Sequence, residues 1–391
     1  MSEMDSQTHL EFYREHKIAP VRYDLSNIDA HLERRFSLYA KLGLLPLSFA
    51  NSRILEVAAG TGHNSIYLAQ LLPSELVLLE PNAVAIDYIR NVYQGFDKPH
   101  TAPEIVCATL EEYSPKDAFD IVICENWLGT SVHEISLLSK LSGMVATHGM
   151  LVLTTVSPIG FVPNLLRRFL ALYLAPLEKT FQQRTEILTA AFASHLNTLA
   201  NMTRNHTDWV QDNMLNPAYF KLCLSIPILV EQLGEAFQVS GSLPSFSEDW
   251  RWFKGLHGSQ SQFNEHFLTE YWLKAHNFLD YRESTFVGDM TSNRALEKNA
   301  TVLLNAIATH ENCSLEQGNT QIDIQPVLNA LDEFIVSVPP IFVDALAGLR
   351  EVRQLIEVPA SININSVNQM TCFSSLFGRE TVYVSLIRMK L

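Results

Sequence analysis

The sequence predicts an α/β fold: a mostly parallel sheet wrapped by helices, closed by an antiparallel C-terminal hairpin and carrying a large helical insertion. Three observations carry this expectation. A short apolar run, Arg53-Ile-Leu-Glu-Val, passes through a small-residue turn into a helix that ends near Gln70. Strand-like and helix-like runs then alternate as far as Thr155, a rhythm that implies parallel strands joined by crossover helices. The last stretch, Thr381 to Ile387, alternates apolar and polar residues after Gly378, as a hairpin strand does.

Taken in order, residues 5–46 read as helical, with Ser26 as N-cap before Ile28, Leu32, Phe36, Tyr39 and Leu42. This segment is expected to cover the sheet or the edge of a ligand site. Strands are expected at 53–58, 75–80, 104–108, 119–124 and 150–155, and helices at 62–72, 82–94 and 131–146. Thr147-His-Gly149 reads as the turn into the fifth strand. After Ser157-Pro158 the rhythm changes, and 160–310 shows helical spacing with few β-branched runs. Two more apolar helices follow in 321–357. The expected divisions are a helical segment over 1–46, an α/β run over 47–158, a mainly helical region over 159–358 and the closing segment 359–391 with its hairpin.

The turn after the first strand reads Glu56-Val57-Ala58-Ala59-Gly60-Thr61-Gly62. Small residues there let a ligand approach the backbone. A dinucleotide fingerprint would need a third glycine at position 65, which is Ser. Glu80 ends the second strand 24 residues after Glu56, near the ~20 that separate a glycine turn from its ribose-binding acid. Together with Phe119–Glu125 and Met150–Thr155, the ordered set resembles the class I S-adenosylmethionine (SAM) methyltransferases over about residues 50–156. Ala58 stands where that family's turn has its first glycine, a change that matters if the position needs positive φ.

The resemblance implies a Rossmann-like methyltransferase sheet with SAM as cofactor and S-adenosylhomocysteine as product. Since such a sheet closes with an antiparallel pair, it also implies that 359–391 joins 47–158 in the core and that 159–358 is a mainly helical insertion, expected to cap the acceptor site. By that carry-over Glu56, Ala58, Gly60, Gly62, His63 and Asn64 form the turn, and Glu80, Pro81 and Asn82 hold the ribose. Leu110, Glu111, Glu125 and Asn126 line the adenine and methionine ends. Methyl transfer is an in-line displacement, so alignment of the reactants does most of the work.

Composition narrows the partners. The chain has 391 residues, 47% of them hydrophobic, and a net charge of −14 with no basic run. Nucleic-acid binding gains from neutralised phosphates, so it is not expected. The first residues, Met1-Ser-Glu-Met-Asp-Ser-Gln, have neither the basic nor the apolar region of a secretory signal, and a cytoplasmic protein is expected. No uninterrupted run of ~18 apolar residues is present, so no stable membrane insertion is expected. Leu165–Leu174 is amphipathic and basic, which suits an interfacial helix, but buried packing explains it more simply. Five cysteines without C-x-x-C spacing fit free thiols, with Cys107 and Cys124 in core strands. No metal-ligand spacing occurs. A homodimer stays open.

Four of the five tryptophans lie between 209 and 272, among polar clusters. Asp208, Trp209, Asp212 and Asn213 form the first, Asp249, Trp250 and Arg251 the second, and Tyr271, Trp272, Asn277 and Arg282 the third. With Trp127, they are the expected small-molecule acceptor contacts, since aromatic faces beside polar groups suit sugars and aromatic metabolites. His276 and Asp280 are spaced to share a helix face, so the carboxylate would orient a general base; His206 and His133 are further candidates. These bases favour a hydroxyl acceptor on a sugar or secondary metabolite. The alternatives are a non-catalytic SAM-binding module and an aminopropyl transferase using Asp208 and Asp212.

Overall fold

The computed structural model describes residues 9–129, 135–217, 224–258 and 261–389. Seven strands form one sheet in the order β3-β2-β1-β4-β5-β7-β6. They are β1 (Arg53–Val57), β2 (Glu75–Leu79), β3 (Glu104–Val106), β4 (Phe119–Cys124), β5 (Val145–Val156), β6 (Phe237–Leu243) and β7 (Thr381–Arg388). The first five pair in parallel; β7 runs antiparallel to both β5 and β6. The strand order reverses between β1 and β4, the place where open α/β sheets bind ligands at their carboxyl ends.

The central strands are buried nearly end to end, as strands covered on both faces must be. One cover comes from α1 (His9–His16), α2 (Ile28–Lys41), α3 (Pro46–Phe49) and α4 (Ser65–Gln70), with α5 (Ala83–Gln94) after β2. Leu32 and Tyr39 of α2 and Ile66 and Tyr67 of α4 join Leu78, Ile121 and Val152 of the sheet in one cluster. Tyr39 and Tyr67 stack with ring centroids 5.4 Å apart. The α2 cap is Asn27, whose side chain accepts from the Ala30 amide, and not Ser26. Residues 17–27 lie outside any helix and break the expected run in two.

Compact packing divides the chain into a sheet-bearing unit, 1–156 with 222–271 and 381–391, and a second unit, 157–221 with 272–380. The partner of β7 in the closing antiparallel pair is β6, drawn from the region expected to be mainly helical. Residues 370–377 form no strand. Their carbonyls are used otherwise: those of Phe373, Ser374 and Leu376 accept from the fully buried guanidinium of Arg167. Segment 147–149 lies inside β5 as an irregularity, with His148 at φ +64°. Cys107 is exposed just past the edge strand β3, and Cys124 is buried.

The second unit is helical. Its longest helix, Met290–Gln317, is capped by Asp289 on the Ser292 amide and ends at Gly318 in the left-handed region. The helix Pro158–Leu174 packs against it and starts on a Ser157 cap with Pro158 in the first turn. Arg167 and Arg168 of this helix are buried, the first between the rings of Phe373 and Phe377, so the basic pair serves packing and not a lipid surface. Among the described residues, no helix is long and apolar enough to cross a membrane.

Candidate functional site

A cleft opens at the carboxyl ends of β1, β2 and β4, and its geometry starts from the backbone after β1. Ala58, Gly60 and Gly62 all have positive φ, at +56°, +57° and +75°. The chain there doubles back so that the Ala58 amide bonds to the Leu79 carbonyl at 2.9 Å, and the turn lies against the end of β2. A Cβ built on Gly60 would meet nothing within 4 Å, whereas one on Gly62 would stand 3.0 Å from Ile89. Gly60 therefore presents bare backbone to open space, and Gly62 allows α5 to pack closely.

Glu80 closes the turn. Its two oxygens accept from the Gly60 and Asn82 amides, each at 2.8 Å. Burial pushes its carboxyl up to about 7, against the pull of those two amides. Asn82 caps α5 through its side-chain oxygen and donates from Nδ2 to the Ile18 carbonyl. Beneath the turn, Glu56 is also raised by burial to about 7, and its Oε2 has no hydrogen-bond partner among the described residues.

At the end of β4, Glu125 Oε1 accepts from Arg35 Nη2 at 2.5 Å and from the Tyr39 hydroxyl at 2.8 Å. All three side chains are buried, and Glu125 Oε2 has no hydrogen-bond partner among the described residues. Asn126 follows with φ +56°, its amide donating to Thr154 Oγ1.

The N-terminal segment straps the cleft. Thr61 Oγ1 donates to the Val21 carbonyl at 2.7 Å, the Tyr23 amide to His63 Nδ1 at 2.8 Å, and Arg14 to the Pro81 carbonyl at 3.0 Å. Because a backbone amide donates to Nδ1, the neutral His63 ring carries its proton on Nε2. Burial holds this imidazole down to about 4. It is therefore a hydrogen-bond donor at neutral pH, with no free lone pair to act as a base.

Glu56, Ala58, Gly60, His63, Asn64, Glu80, Pro81, Asn82, Leu110, Glu111, Glu125, Asn126 and Trp127 all line this one cleft. Gly62 sits behind it. Residues with no recognisable signal in the sequence also line it, among them His9, Tyr13, Val21 and Tyr23. They lie in and between two short helices, where no periodicity marks a binding segment.

The remaining candidates are occupied elsewhere. His276 is buried in the second unit, with Nδ1 bonded to Asn293 at 2.9 Å and its ring 4.1 Å from that of Phe286. Asp280 is bound by Arg282 at 2.6 Å and not by His276, because the helix turn of 275–278 ends before a fourth-residue neighbour is reached. Asn277 exchanges hydrogen bonds with Phe286. Asp212 pairs with Arg204, and Asn213 donates to the Trp209 carbonyl, while Asp208 and Trp209 are buried. His206 opens the helix His206–Val210. Trp272 carries Arg294 over its ring.

In the sheet-bearing unit, Tyr271 is core against Phe246. Asp249 and Arg251 pair with each other at 2.6 Å beside Trp250, which is 95% exposed. The polar clusters thus partner themselves. His133 lies outside the described residues.

Residues 29–195 match a family model described as a methyltransferase domain. A search of curated proteins finds none that matches. Among solved structures, an S-adenosylmethionine-dependent methyltransferase from Mesorhizobium loti is 20% identical with a TM-score of 0.26, covering 30% of this chain and 52% of that one. The chain thus spans about half the length of that structure. N-methyltransferase NodS from Bradyrhizobium japonicum is 16% identical, TM-score 0.28, covering 36% and 75%. Magnesium protoporphyrin IX methyltransferase from Synechocystis is 14% identical, TM-score 0.31, covering 39% and 77%.

The cleft fits SAM: bare backbone at Gly60, the Glu80 carboxyl at its lip, and one oxygen each on Glu56 and Glu125 without a partner among the described residues. Residues 29–195 thus form a methyltransferase domain, and its sheet order and acid-flanked left-handed turn are those expected of the class I S-adenosylmethionine-dependent kind.

Proposed function

We propose that this chain transfers the methyl group of SAM to a small-molecule acceptor. The observation that carries the reading is the Glu80 carboxylate, held by two backbone amides at the lip of the left-handed turn. Glu80 would hold the ribose hydroxyls. The backbone at Gly60 would meet the methionine portion, with Asn126 and Trp127 at the β4 side. When bound, SAM supplies a sulfonium methyl that an acceptor lone pair takes in line, the S–CH3 electrons returning to sulfur.

The chain's part is to orient and to exclude water. The strap over residues 18–23 roofs the turn, and the Arg35–Glu125–Tyr39 knot fixes the end of β4. A hydroxyl acceptor with a general base draws no support from His63, whose Nδ1 is taken by the Tyr23 amide, nor from Asp280, which is bound by Arg282.

The test is incubation with methyl-labelled SAM and a pool of small metabolites. Label entering the small-molecule fraction, and lost in Gly60→Val, supports the reading. Binding of S-adenosylhomocysteine with no label transferred to any fraction would favour a non-catalytic module instead.

A further inference from the structure

We propose that the acceptor is an organic anion, with its acidic group held by Arg34 and Lys41 on one face of α2 and its apolar body packed on Tyr23, Leu38, Leu243 and Tyr383. This rests on the methyltransferase reading and names a substrate class for it.

The sequence spacing sets up the face. His31, Arg34, Leu38 and Lys41 recur at the three- and four-residue intervals that align side chains along a helix. They line a second cavity within the sheet-bearing unit, completed by Leu243 at the end of β6 and Tyr383 on β7. No carboxylate lines it, in a chain with 42 acidic residues against 28 Lys and Arg.

The cations in it differ in what they are bound to. Arg35 is committed to Glu125. Arg34 has no acid partner among the described residues: its Nη2 donates to His31 Nδ1 at 3.2 Å. His31 Nε2 donates to the His63 carbonyl at 2.8 Å, so Nδ1 holds the lone pair and the ring is neutral. Burial keeps it so, holding the imidazole down to about 4. The guanidinium is steered by a neutral group and keeps its whole charge. A planar guanidinium pre-oriented in this way suits a carboxylate or phosphate, and the apolar walls suit an aromatic or aliphatic body.

The cavity is also placed for an acceptor. Tyr23 and Asn64 line both it and the cofactor cleft. Its sheet residues come from β6 and β7, beyond β4 and β5 in the strand order, whereas Glu80 belongs to the β2 side. An occupant would therefore meet the cleft on the side away from the ribose acid.

The experiment is a calorimetric titration of benzoate, phenyl phosphate and the neutral isostere benzamide into the full chain, with and without S-adenosylhomocysteine. Benzoate is expected to bind about tenfold or more tighter than benzamide, a margin that charge-assisted hydrogen bonds supply. The double variant Arg34→Gln/Lys41→Gln is expected to erase that preference, and Lys41→Gln alone to reduce it. Both side chains are exposed, so the fold does not depend on them. Phenyl phosphate binding tighter than benzoate would make the anion a phosphate. Equal binding of acid and amide, no binding of either, or benzoate affinity unchanged in the double variant would overturn the proposal. Failure of S-adenosylhomocysteine itself to bind would count against the methyltransferase reading, which the benzoate titration without it leaves separate.

Discussion

At the scale of single residues, the turn after β1 is where chemistry and conformation constrain each other. Three left-handed residues follow Glu56, and one of them carries a methyl group: Ala58 at φ +56°. A side chain in that region costs ~1–2 kcal/mol, while a glycine there adds ~0.4–1 kcal/mol of unfolded-state freedom. Ala58→Gly is therefore expected to stabilise the chain by up to about 1 kcal/mol in urea unfolding. Gly62→Ala is expected to lose at least that much, because its Cβ would also press on Ile89.

Glu80 and Glu56 give the pH dependence its sign. Each has a folded value of about 7 against an ordinary 4.5, so the folded chain holds more protons between those limits. Stability from this source is present below about 4.5 and is lost as pH rises through about 7. The wild-type stability minus that of Glu80→Gln should fall across this window, and a flat difference would contradict the assignment. If Glu80 holds the ribose as proposed, the hydroxyls would donate to the ionised acid, and cofactor binding at pH 6 should release a proton.

At the scale of elements, the docking of α2 onto the end of β4 depends on one buried ion pair. Arg35 and Glu125 are both buried; burial works against the Arg35 charge, but the Glu125 carboxylate outweighs it and keeps the guanidinium charged. Removing one partner strands a buried charge, which typically costs ~3–5 kcal/mol. Arg35→Met should lose about that much by denaturant unfolding, and Arg35→Met/Glu125→Leu should recover most of it. If the single variant were no less stable than the double, the pair would not be what fixes α2.

The elements also divide by how they were legible. β1, β2 and β4 with their helices were readable because buried parallel strands are continuous apolar runs with sharp ends. β6 was not: Phe-Gln-Val-Ser-Gly-Ser-Leu is short, broken by Gly241 and surrounded by helical spacing. Its role is set by β7, a partner far away in sequence. The strap over 18–23 carries no pattern either, since its contacts are backbone carbonyls and amides that any sequence possesses.

At the scale of the whole molecule, the residues that line the cleft could be anticipated because they share one local motif and the strand ends that follow it. The face of α2 proposed for the acceptor could not. Composition draws attention to Trp- and Asp-rich clusters, yet Asp249 and Asp280 each pair with an arginine two residues on, and Asp212 with Arg204 eight residues back. Dense polar sequence is as often self-satisfying as it is a site. What singles out α2 in the proposal is a cation with no acid partner among the described residues, and that shows only once the helix is placed.

Ligand linkage gives a global readout of the same account. S-adenosylhomocysteine at 100 times its dissociation constant should stabilise the chain by about 2.7 kcal/mol, with a matching rise in Tm. The most direct test is calorimetric titration of S-adenosylhomocysteine into the wild-type chain and into Glu80→Ala. The account predicts saturable one-to-one binding to the wild type, with NAD giving no heat, and about tenfold or greater weakening in the variant. No binding to the wild type, or equal affinity in Glu80→Ala, would contradict it.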